Sequence, residues 1–280
     1  MSPTPRTAFI KGLPISLAPI DQVLADIGRA IERREPGHYI SITNTEAMYH
    51  GLRVPAQGAY IRGADYSLCD GVGVVAAGLA WGHRIRRLNG PVLQLECSSH
   101  GVARGWRHFF YGGKEGVAEA MAARLAARFP GLEVCGTYCP PFREHTPEED
   151  EVVVRLINDA RPDIVWVGLG LLKQERWIAA HLGRVSAPWM IGVGASFDYL
   201  SGTIPWAPPL LRRLGLEWVF RLALQPRLRG RRYWWSFVYV LEATTEGLVT
   251  GRFLRGRLAD RPATAGAHGV SIEERKEKER

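Results

Sequence analysis

Three segments in the middle of this chain share one pattern, in which a short apolar run leads into a glycine-containing turn. The runs are Trp106–Tyr111, Asp163–Val167 and Trp189–Val193. Helical spacing follows the first turn over residues 115–129 and the second over residues 174–182. Repeats of strand, tight turn and helix are typical of a parallel sheet with crossover helices. We therefore predict an α/β fold with a Rossmann-like, mostly parallel sheet and flanking helices.

The N-terminal part adds a further helix and strand to this architecture. Residues 20–34 place apolar side chains at helical intervals, which predicts an amphipathic helix. The β-prone run His38–Ile42 follows and ends at the polar residues Thr43, Asn44 and Glu46. Because a loop between a strand and a helix is a common place for ligand groups, these residues are candidates for substrate binding.

The glycine turns are candidate phosphate-binding elements. Gly112, Gly170 and Gly194 follow predicted parallel strands, where backbone N–H groups can approach a phosphate. A dinucleotide-binding fingerprint is not met, because the third glycine position after Gly168-Leu169-Gly170 is Lys173. A nicotinamide-dependent dehydrogenase is therefore disfavoured.

One acid is the strongest candidate for a catalytic role. Asp70 follows the apolar stretch Tyr66–Cys69 and precedes Gly71-Val72-Gly73. A carboxylate in such a loop can lie at the carboxyl edge of the sheet and accept a proton from an attacking hydroxyl group. The alternative is that Asp70 caps the following helix.

Further polar residues offer weaker signals. Arg87, with Arg84 and Arg86 before it, can bind an anion or lie on a solvated surface. Gln174 and Glu175 begin a helix after a glycine turn, where a phosphate or sugar would lie, although polar residues are also ordinary in a first helical turn.

No residue pattern indicates a metal site. The chain has no Asp-x-Asp motif and no His/Cys cluster at ligand spacing, and Cys135-x-x-x-Cys139 lacks a second ligand pair. The acidic run Glu148–Glu151 lies where Thr146-Pro147-Glu148-Glu149 predicts a capping box, and its charges suit a helix start. We therefore expect no metal and no cofactor.

Positive charge is concentrated in one segment. The chain carries a net charge of +8, yet residues 209–258 hold ten Arg against three Glu, a balance of +7. This segment also contains Trp218 and the aromatic run Tyr233–Tyr239. Such a mixture suits an anionic membrane surface or nucleic acid, and a packed helical pair with solvated arginines is the alternative.

The amino-acid composition of the chain changes after Pro205, and we divide the chain into three regions. We predict an α/β domain over residues 1–205, a basic and aromatic helical appendage over residues 206–258, and a disordered tail over residues 259–280. In the appendage, the apolar residues from Leu210 to Leu222 mark one helix face, and Pro226 ends that helix.

The cysteine content and the apolar runs bear on the compartment. Four Cys without paired spacing do not form a disulfide scaffold, which indicates a reducing compartment. The N-terminal residues lack the apolar stretch of a signal peptide, and no run approaches the ~20 apolar residues of a membrane span. We therefore expect a cytoplasmic location.

Taken together, the motifs resemble those of the WecG/TagA/CpsF family of bacterial glycosyltransferases, over about Phe9 to Tyr233. Singly the motifs are modest, but their order and spacing are specific. They are Thr43-Asn44-Thr45-Glu46, Ala64-Asp65, Cys69-Asp70-Gly71-Val72-Gly73, Arg87-Leu88-Asn89-Gly90, Phe109-Phe110-Tyr111-Gly112-Gly113, Pro162-Asp163, Val167-Gly168-Leu169-Gly170-Leu171-Leu172-Lys173-Gln174-Glu175, Gly192-Val193-Gly194-Ala195-Ser196-Phe197-Asp198, Ser201-Gly202, Ala207-Pro208, Leu216-Glu217-Trp218-Val219-Phe220-Arg221-Leu222 and Gln225-Pro226-Arg227.

This resemblance implies an activity and a location. The family transfers a sugar from a UDP-sugar, with inversion, to a polyprenyl-diphosphate-linked saccharide at the inner face of the cytoplasmic membrane. Its best-known members transfer N-acetylmannosamine or its uronic acid, and relatives serve exopolysaccharide and capsule assembly. The implied partners are the donor, the lipid-linked acceptor, an anionic membrane surface and a second copy of the chain in a monomer–oligomer equilibrium.

The resemblance also implies roles for single residues. Asp70 matches the proposed general base of the family, and arginines of the appendage match those thought to close over the donor diphosphate. The matched positions are Asn44, Glu46, Asp70, Arg87, Gln174, Glu175, Arg221, Arg227, and Arg231 or Arg232. Guanidinium groups would then supply the charge that stabilises the departing UDP without a metal.

Three positions depart from the pattern of the family. Ile42 stands where Thr is usual, Leu172 replaces Pro in the turn before Lys173, and Val92 stands where an acid is often found. Donor contacts can therefore differ. Two other functions stay open: a basic nucleic-acid-binding protein that uses the Arg/Trp segment, and a catalytically inactive partner in a polysaccharide-synthesis complex.

Overall fold

A computed structural model describes residues 7–143 and 145–252, with residues 228 and 231 described by their backbone alone. The chain starts with an antiparallel hairpin of β1 (Thr7–Ile10) and β2 (Leu13–Ser16). Six strands then form a second sheet: β3 (His38–Thr43), β4 (Tyr66–Cys69), β5 (Arg107–Gly112), β6 (Glu133–Tyr138), β7 (Ile164–Gly168) and β8 (Trp189–Gly192). Their order is β4-β3-β8-β7-β5-β6, and every neighbouring pair is parallel. The predicted α/β class and parallel sheet are confirmed.

Helices cover both faces of this sheet. They are α1 (Ile20–Glu32), α2 (Thr45–Gly51), α3 (Pro55–Gly63), α4 (Val72–Ala80), α5 (Gly90–Val102), α6 (Val117–Arg128), α7 (Pro147–Asp159), α8 (Lys173–His181), α9 (Ser196–Ser201), α10 (Pro209–Arg213), α11 (Glu217–Leu224) and α12 (Pro226–Val249). The amphipathic helix predicted over residues 20–34 is α1, and the capping box of α7 forms as predicted from Thr146 and Glu149.

Alternate side chains of each strand enter two apolar cores, one on each face of the sheet. In β5, Tyr111 joins the core under α2, α3, α4, α8 and α12, whereas Phe110 joins the core under α1, α5, α6 and α9. Because both faces are covered, the central strands are apolar along their whole length, as in the buried run Ile164–Val167 of β7. This layering leaves the carboxyl ends of the strands as the open edge.

The sequence predicts one helix with an apolar face from Leu210 to Leu222, and the structure differs from this prediction. The segment forms two short helices, α10 and α11, which are separated at Gly215. Gly215 has a φ of +73°, and a Cβ there would lie 2.3 Å from Val72 Cγ1, so the chain turns where it touches α4. Pro226 then begins α12 at its first position, which favours a new helix.

Helix α12 packs against the α/β body instead of projecting from it. Tyr239 and Ala243 are fully buried in the same core as β5, and Trp81 Nε1 donates a hydrogen bond to the Ala243 carbonyl at 2.9 Å. Ion pairs join Arg53 to Glu242 at 2.5 Å and Lys11 to Glu246. Of the predicted appendage, residues 253–258 lie outside the described residues, as does the tail 259–280. Within the described ranges, no helix is long and apolar enough to cross a membrane.

Candidate active site

A cavity of about 1140 Å³ lies along the carboxyl edge of the sheet. Residues that follow β3, β4, β5, β7 and β8 form one wall of the cavity, and residues of α11 and α12 form another. Ligands of open α/β sheets bind at this edge, because loops there can present backbone and side-chain groups without disturbing the core. Of the predicted site residues, those that line the cavity are Asn44, Asp70, Gly170, Gln174, Gly194, Arg221 and Arg232.

Asp70 directly follows β4 and is one of the residues that line the cavity. Its backbone N–H donates to the Thr43 carbonyl at 2.9 Å, which continues the parallel pairing of β4 with β3 past the last strand residue. Gly71, not Asp70, occupies the cap position of α4. The helix-capping alternative for Asp70 is therefore wrong.

The surroundings of Asp70 raise its affinity for a proton. Burial raises the pKa of Asp70 above its ordinary value. Arg221 opposes this shift most, Glu217 adds to it, and Arg87 opposes it. The net result is a carboxylate that remains near two cations and is a better proton acceptor than a solvated one.

Arg221 is held in place from two sides. Its Nη2 donates to Glu217 Oε1 at 2.7 Å, one helical turn earlier in α11, and its guanidinium lies 4.6 Å from the ring centroid of Tyr199. These contacts fix a positive charge beside the cavity wall that contains Asp70.

The arginines of α12 have different surroundings. Arg229, which was not predicted, lines the cavity together with Arg232. Arg227 is exposed and is not among the cavity-lining residues, so its predicted contact with the donor stays untested. The side chain of Arg231 lies outside the described part of the chain.

Glu46 binds Arg232. Arg232 Nε lies 2.8 and 3.0 Å from the two carboxylate oxygens, and Nη2 lies 2.8 Å from Oε2. In this structure the predicted substrate-binding residue Glu46 therefore anchors α12 to the first turn of α2.

The other two residues of this polar loop also have local partners. Asn44 Oδ1 accepts a hydrogen bond from the Ala47 N–H at 2.9 Å and so caps α2, while the residue still borders the cavity. Thr43 is fully buried, and its hydroxyl lies 2.9 Å from Ser41 Oγ and 2.8 Å from Ser67 Oγ. The Thr43 side chain joins β3 to β4 beneath the site.

Gln174 and Glu175 begin α8 and are both buried. Gln174 borders the cavity and donates to Glu175 Oε1 at 3.3 Å. Burial, more than any neighbour, raises the pKa of Glu175 to about 7, and Glu46 adds to this shift. Gln174 is placed to contact a ligand, and Glu175 supports it from behind.

Of the three candidate glycines, Gly170 and Gly194 line the cavity. Gly112 instead packs directly against β7, since a Cβ there would lie 2.6 Å from backbone atoms of Gly168. The next residue, Gly113, borders the cavity in its place. Gly112 itself is not among the cavity-lining residues, and its predicted binding role stays a prediction.

Arg87 supports the C-terminal helices. Its Nη2 donates to the Arg212 carbonyl at the end of α10, at a distance of 2.7 Å.

Leu172, one of the three departures from the family pattern, has a φ of +68°. Proline is locked near −65°, so this turn cannot be the one that a proline would form here.

Two further charged residues of the site were not predicted. Lys114, directly after Gly112-Gly113, and Asp198, in the first turn of α9, both line the cavity. The pKa of Asp198 is raised, because the effect of burial exceeds the opposing effects of Arg229 and Lys114. Asp198 ends one of the motifs quoted above, so a signal for it was present in the sequence.

In the described part of the chain, the histidine, cysteine and acidic side chains do not form a metal-binding cluster. Within residues 7–143 and 145–252, no group of three or more of these side chains is placed to hold a metal ion. Among the described residues, the charged side chains that line the cavity are five arginines, two lysines and the acids Asp70, Asp150 and Asp198.

Comparison with known proteins agrees with this geometry. The sequence model described as "Glycosyl transferase WecG/TagA/CpsF family" matches residues 8–250, which extends through α12. Proteins from Staphylococcus aureus strains NCTC 8325 and COL are each 31% identical over 201 residues, covering 69% of this chain and 74% of the relative. Both are named N-acetylglucosaminyldiphosphoundecaprenol N-acetyl-beta-D-mannosaminyltransferase. A match over nearly all described residues, with the motifs gathered around one cavity, means that this chain is a glycosyltransferase and belongs to the WecG/TagA/CpsF family.

Proposed function

We propose that this enzyme transfers a sugar from a UDP-sugar to a polyprenyl-diphosphate-linked saccharide, with inversion at the anomeric carbon. The observation that carries this proposal is that Asp70 and the arginines Arg221, Arg229 and Arg232 line the same cavity. One carboxylate beside several cations suits a reaction that removes a proton at one atom while negative charge develops on a diphosphate.

In this proposal, Asp70 is the general base. A hydroxyl group of the acceptor attacks the anomeric carbon, the bond from that carbon to the diphosphate oxygen breaks, and the hydroxyl proton moves to Asp70. The raised pKa of Asp70 favours this proton transfer. Arg221 and Arg87 lower the pKa of Asp70 and so oppose part of the effect of burial.

The departing UDP would be stabilised by guanidinium groups. Arg221, Arg229 and Arg232 come from α11 and α12, and their planar groups match diphosphate oxygens. Lys114 adds a further cation on the β5 side of the cavity. We propose that these side chains supply the charge that other transferases take from a divalent metal.

The name of the Staphylococcus aureus relatives suggests which substrates to test first. They transfer an N-acetyl-β-D-mannosaminyl group to N-acetylglucosaminyl-diphosphoundecaprenol. We propose the same class of acceptor for this chain and take UDP-N-acetylmannosamine as the first donor to test. The turn at Leu172 is a reason to include other UDP-hexoses.

Membrane association is the second part of the proposal. Trp234, Phe237, Leu241 and Leu248 lie at helical spacing on α12 and are each 56–64% exposed. The opposite side of α12 packs against the body through Tyr239. An exposed apolar stripe beside arginines suits peripheral binding to anionic lipid, which would bring the cavity to a lipid-linked acceptor at the inner face of the cytoplasmic membrane.

The test is a donor screen that measures UDP release with and without the lipid-linked acceptor. We expect acceptor-dependent UDP release from one donor, and Asp70→Asn should lower kcat by about 10²–10⁴-fold while UDP still binds. The wild-type rate should fall as pH decreases through the raised pKa of Asp70, because the protonated acid accepts no proton. Near-wild-type turnover by Asp70→Asn would show that Asp70 is not the base.

The nucleic-acid alternative makes an opposite prediction. It needs basic residues on an open surface, whereas Arg221, Arg229 and Arg232 border a cavity. Tight, salt-sensitive binding of DNA or RNA that survives Asp70→Asn, without transfer from any UDP-sugar, would favour that alternative.

A further inference from the structure

Four side chains form a row of stacked groups that begins at the cavity and leads away from it. The Arg221 guanidinium lies 4.6 Å from the ring centroid of Tyr199, and the Tyr199 ring lies 6.3 Å from that of Trp206. The Arg212 guanidinium lies 3.9 Å from the Trp206 ring centroid. We call these four residues the arginine–aromatic stack. Only Arg221 among them borders the cavity, so the stack extends positive charge from the cavity wall to α10.

The arginine–aromatic stack contains three buried hydrogen-bond donors. They are Arg221 Nε, Trp206 Nε1 and Arg212 Nε, and none of them has an acceptor among the described residues. Guanidinium and indole N–H groups only donate, and a buried donor without an acceptor costs free energy. Trp206 and Arg212 are half-buried, which gives a ligand access to the outer end of the stack. A phosphate group, with several anionic acceptor oxygens, suits these donors.

We propose that Trp206 and Arg212, the outer part of the stack, bind the diphosphate of the lipid-linked acceptor, an inference that rests on the proposed function. The proposed reaction involves two diphosphates, one in the donor and one in the acceptor. The donor diphosphate belongs with the arginines that border the cavity. Trp206 and Arg212 do not border the cavity, and the donor leaves them without a ligand.

The position of Arg212 relative to Asp70 fits an acceptor diphosphate. Arg87 links the two residues, because its Nη2 donates to the Arg212 carbonyl at 2.7 Å and its charge lowers the pKa of Asp70. In an N-acetylglucosaminyl-diphosphoundecaprenol acceptor, the diphosphate is attached to the same sugar whose hydroxyl group attacks the donor. It must therefore bind one sugar ring away from the base. A site just outside the cavity, supported by an arginine that acts on Asp70, meets this requirement.

Apolar side chains beside the stack provide a surface for the polyprenyl chain. Leu210 and Leu214 lie one helical turn apart at α10 and are 66% and 61% exposed. Trp218 of α11 is also exposed, and its ring meets that of Tyr233 in α12 edge to face, with centroids 6.0 Å apart. The apolar surface of α10 and α11 therefore adjoins α12, the proposed membrane contact. A diphosphate bound at Arg212 leaves its polyprenyl chain on this surface and outside the polar cavity.

The test uses geranyl diphosphate, a soluble prenyl diphosphate without a sugar, and measures its binding to the full chain by calorimetry. Saturating UDP is present to occupy the donor site, so that the probe reports on a second diphosphate site. We expect Arg212→Gln to bind the probe about tenfold more weakly. Trp206→Phe, which keeps a ring and removes the N–H, should bind it about fivefold more weakly.

The control variant tests whether any arginine stacked on tryptophan would have this effect. Arg104→Gln is the matched change, because the Arg104 guanidinium lies 5.8 Å from the Trp106 ring centroid and Arg104 does not border the cavity. It should bind geranyl diphosphate as the wild type does. UDP affinity without the probe should be unchanged in all three variants, which also shows that each variant is folded.

A phospholipid headgroup offers the same phosphate chemistry, and sedimentation with anionic liposomes separates the two sources. We expect Arg212→Gln and Trp206→Phe to sediment as the wild type does. Weaker sedimentation with unchanged affinity for geranyl diphosphate would assign the stack to phospholipid and overturn the acceptor site. Weaker UDP binding with unchanged affinity for the probe would assign the stack to the donor and overturn it as well.

The remaining outcomes separate this inference from the transferase proposal. Unchanged probe affinity in both variants, in an enzyme that transfers from a UDP-sugar, would overturn the acceptor site alone, as would failure of the UDP-saturated wild type to bind the probe. Weaker probe binding by both variants, in a protein that transfers no sugar, would support the prenyl-diphosphate site and reject the transfer reaction. In an active enzyme, both variants should increase KM for the lipid-linked acceptor with little change in kcat.

Discussion

Gly112 and Gly170 look alike in the sequence, and the structure predicts that alanine will have different effects at the two positions. Both glycines have positive φ, +138° for Gly112 and +85° for Gly170. A Cβ on Gly112 would lie 2.6 Å from the Cα, carbonyl carbon and oxygen of Gly168. A Cβ on Gly170 would meet no atom within 4 Å. Gly170→Ala is therefore a matched control for Gly112→Ala.

The magnitudes follow from these contacts. The unfavourable φ costs each alanine roughly 1–2 kcal/mol. At Gly112 the clashing atoms are backbone and cannot rotate away, so β5 and β7 must separate where the Gly113 N–H donates to the Gly168 carbonyl at 3.0 Å. Overpacking and a weakened hydrogen bond add roughly 2–3 kcal/mol. We expect Gly112→Ala to lose about 3–5 kcal/mol of unfolding free energy and Gly170→Ala about 1–2 kcal/mol.

Urea unfolding and calorimetric UDP binding measure the two effects separately. Gly170→Ala should fold and bind UDP about fivefold more weakly, because its methyl group enters the cavity. A Gly112→Ala variant that remains folded is expected to bind UDP more weakly only through displacement of Gly113 and Gly168, which line the cavity while Gly112 does not. Equal losses of stability in the two variants, or weak UDP binding by a fully stable Gly112→Ala, would refute this reasoning.

Three further predictions concern other parts of the molecule. Glu175 has an ordinary pKa of 4.5 when unfolded and about 7 when folded, so the folded state holds a proton that the unfolded state releases, and stability falls as pH rises from 4.5 to 7. Glu175→Gln should remove this dependence and add about 3 kcal/mol to the unfolding free energy at pH 8, as measured by urea titrations at several pH values; an unchanged slope would contradict it. Leu172→Pro should lower the thermal unfolding temperature clearly more than Leu172→Gly, because the φ of +68° excludes proline; equal temperatures would show that the turn rearranges. Trp234→Ala with Phe237→Ala should weaken sedimentation with anionic liposomes at least tenfold without changing UDP binding, and undiminished sedimentation would remove α12 as the membrane contact.

The regular elements were largely predictable, because their signals are local. Apolar runs before glycines identified β5, β7 and β8 to within one or two residues, and helical spacing identified α1 and α6. The position of Asp70 also followed from local order, since an acid directly after a buried strand must lie at the carboxyl edge of a parallel sheet. These inferences needed only the side-chain periods of strands and helices.

Local reasoning failed where a distant residue decides the outcome. Thr43 and Glu46 are polar residues of one loop, and only their neighbours distinguish them: Ser67 of the next strand binds Thr43, and Arg232, 186 residues later, binds Glu46. The helix predicted across Leu210–Leu222 breaks because Gly215 meets Val72 of α4. In each case a contact between distant parts of the chain overrides the local pattern.

The sequence by itself determined the fold class, the family and the acid at the end of β4, because hydrophobic period, glycine turns and motif order are properties of neighbouring residues. Only the tertiary structure decided which polar residues line the cavity. The docking of α12 on α2 and α4 brings Arg229 and Arg232 to a cavity whose acid lies about 160 residues earlier in the chain. Of the arginines in this basic segment, Arg221, Arg229 and Arg232 border the cavity, and the outer side of α12 exposes apolar side chains. Packing sets these directions, and packing depends on surfaces that come together only in the folded molecule.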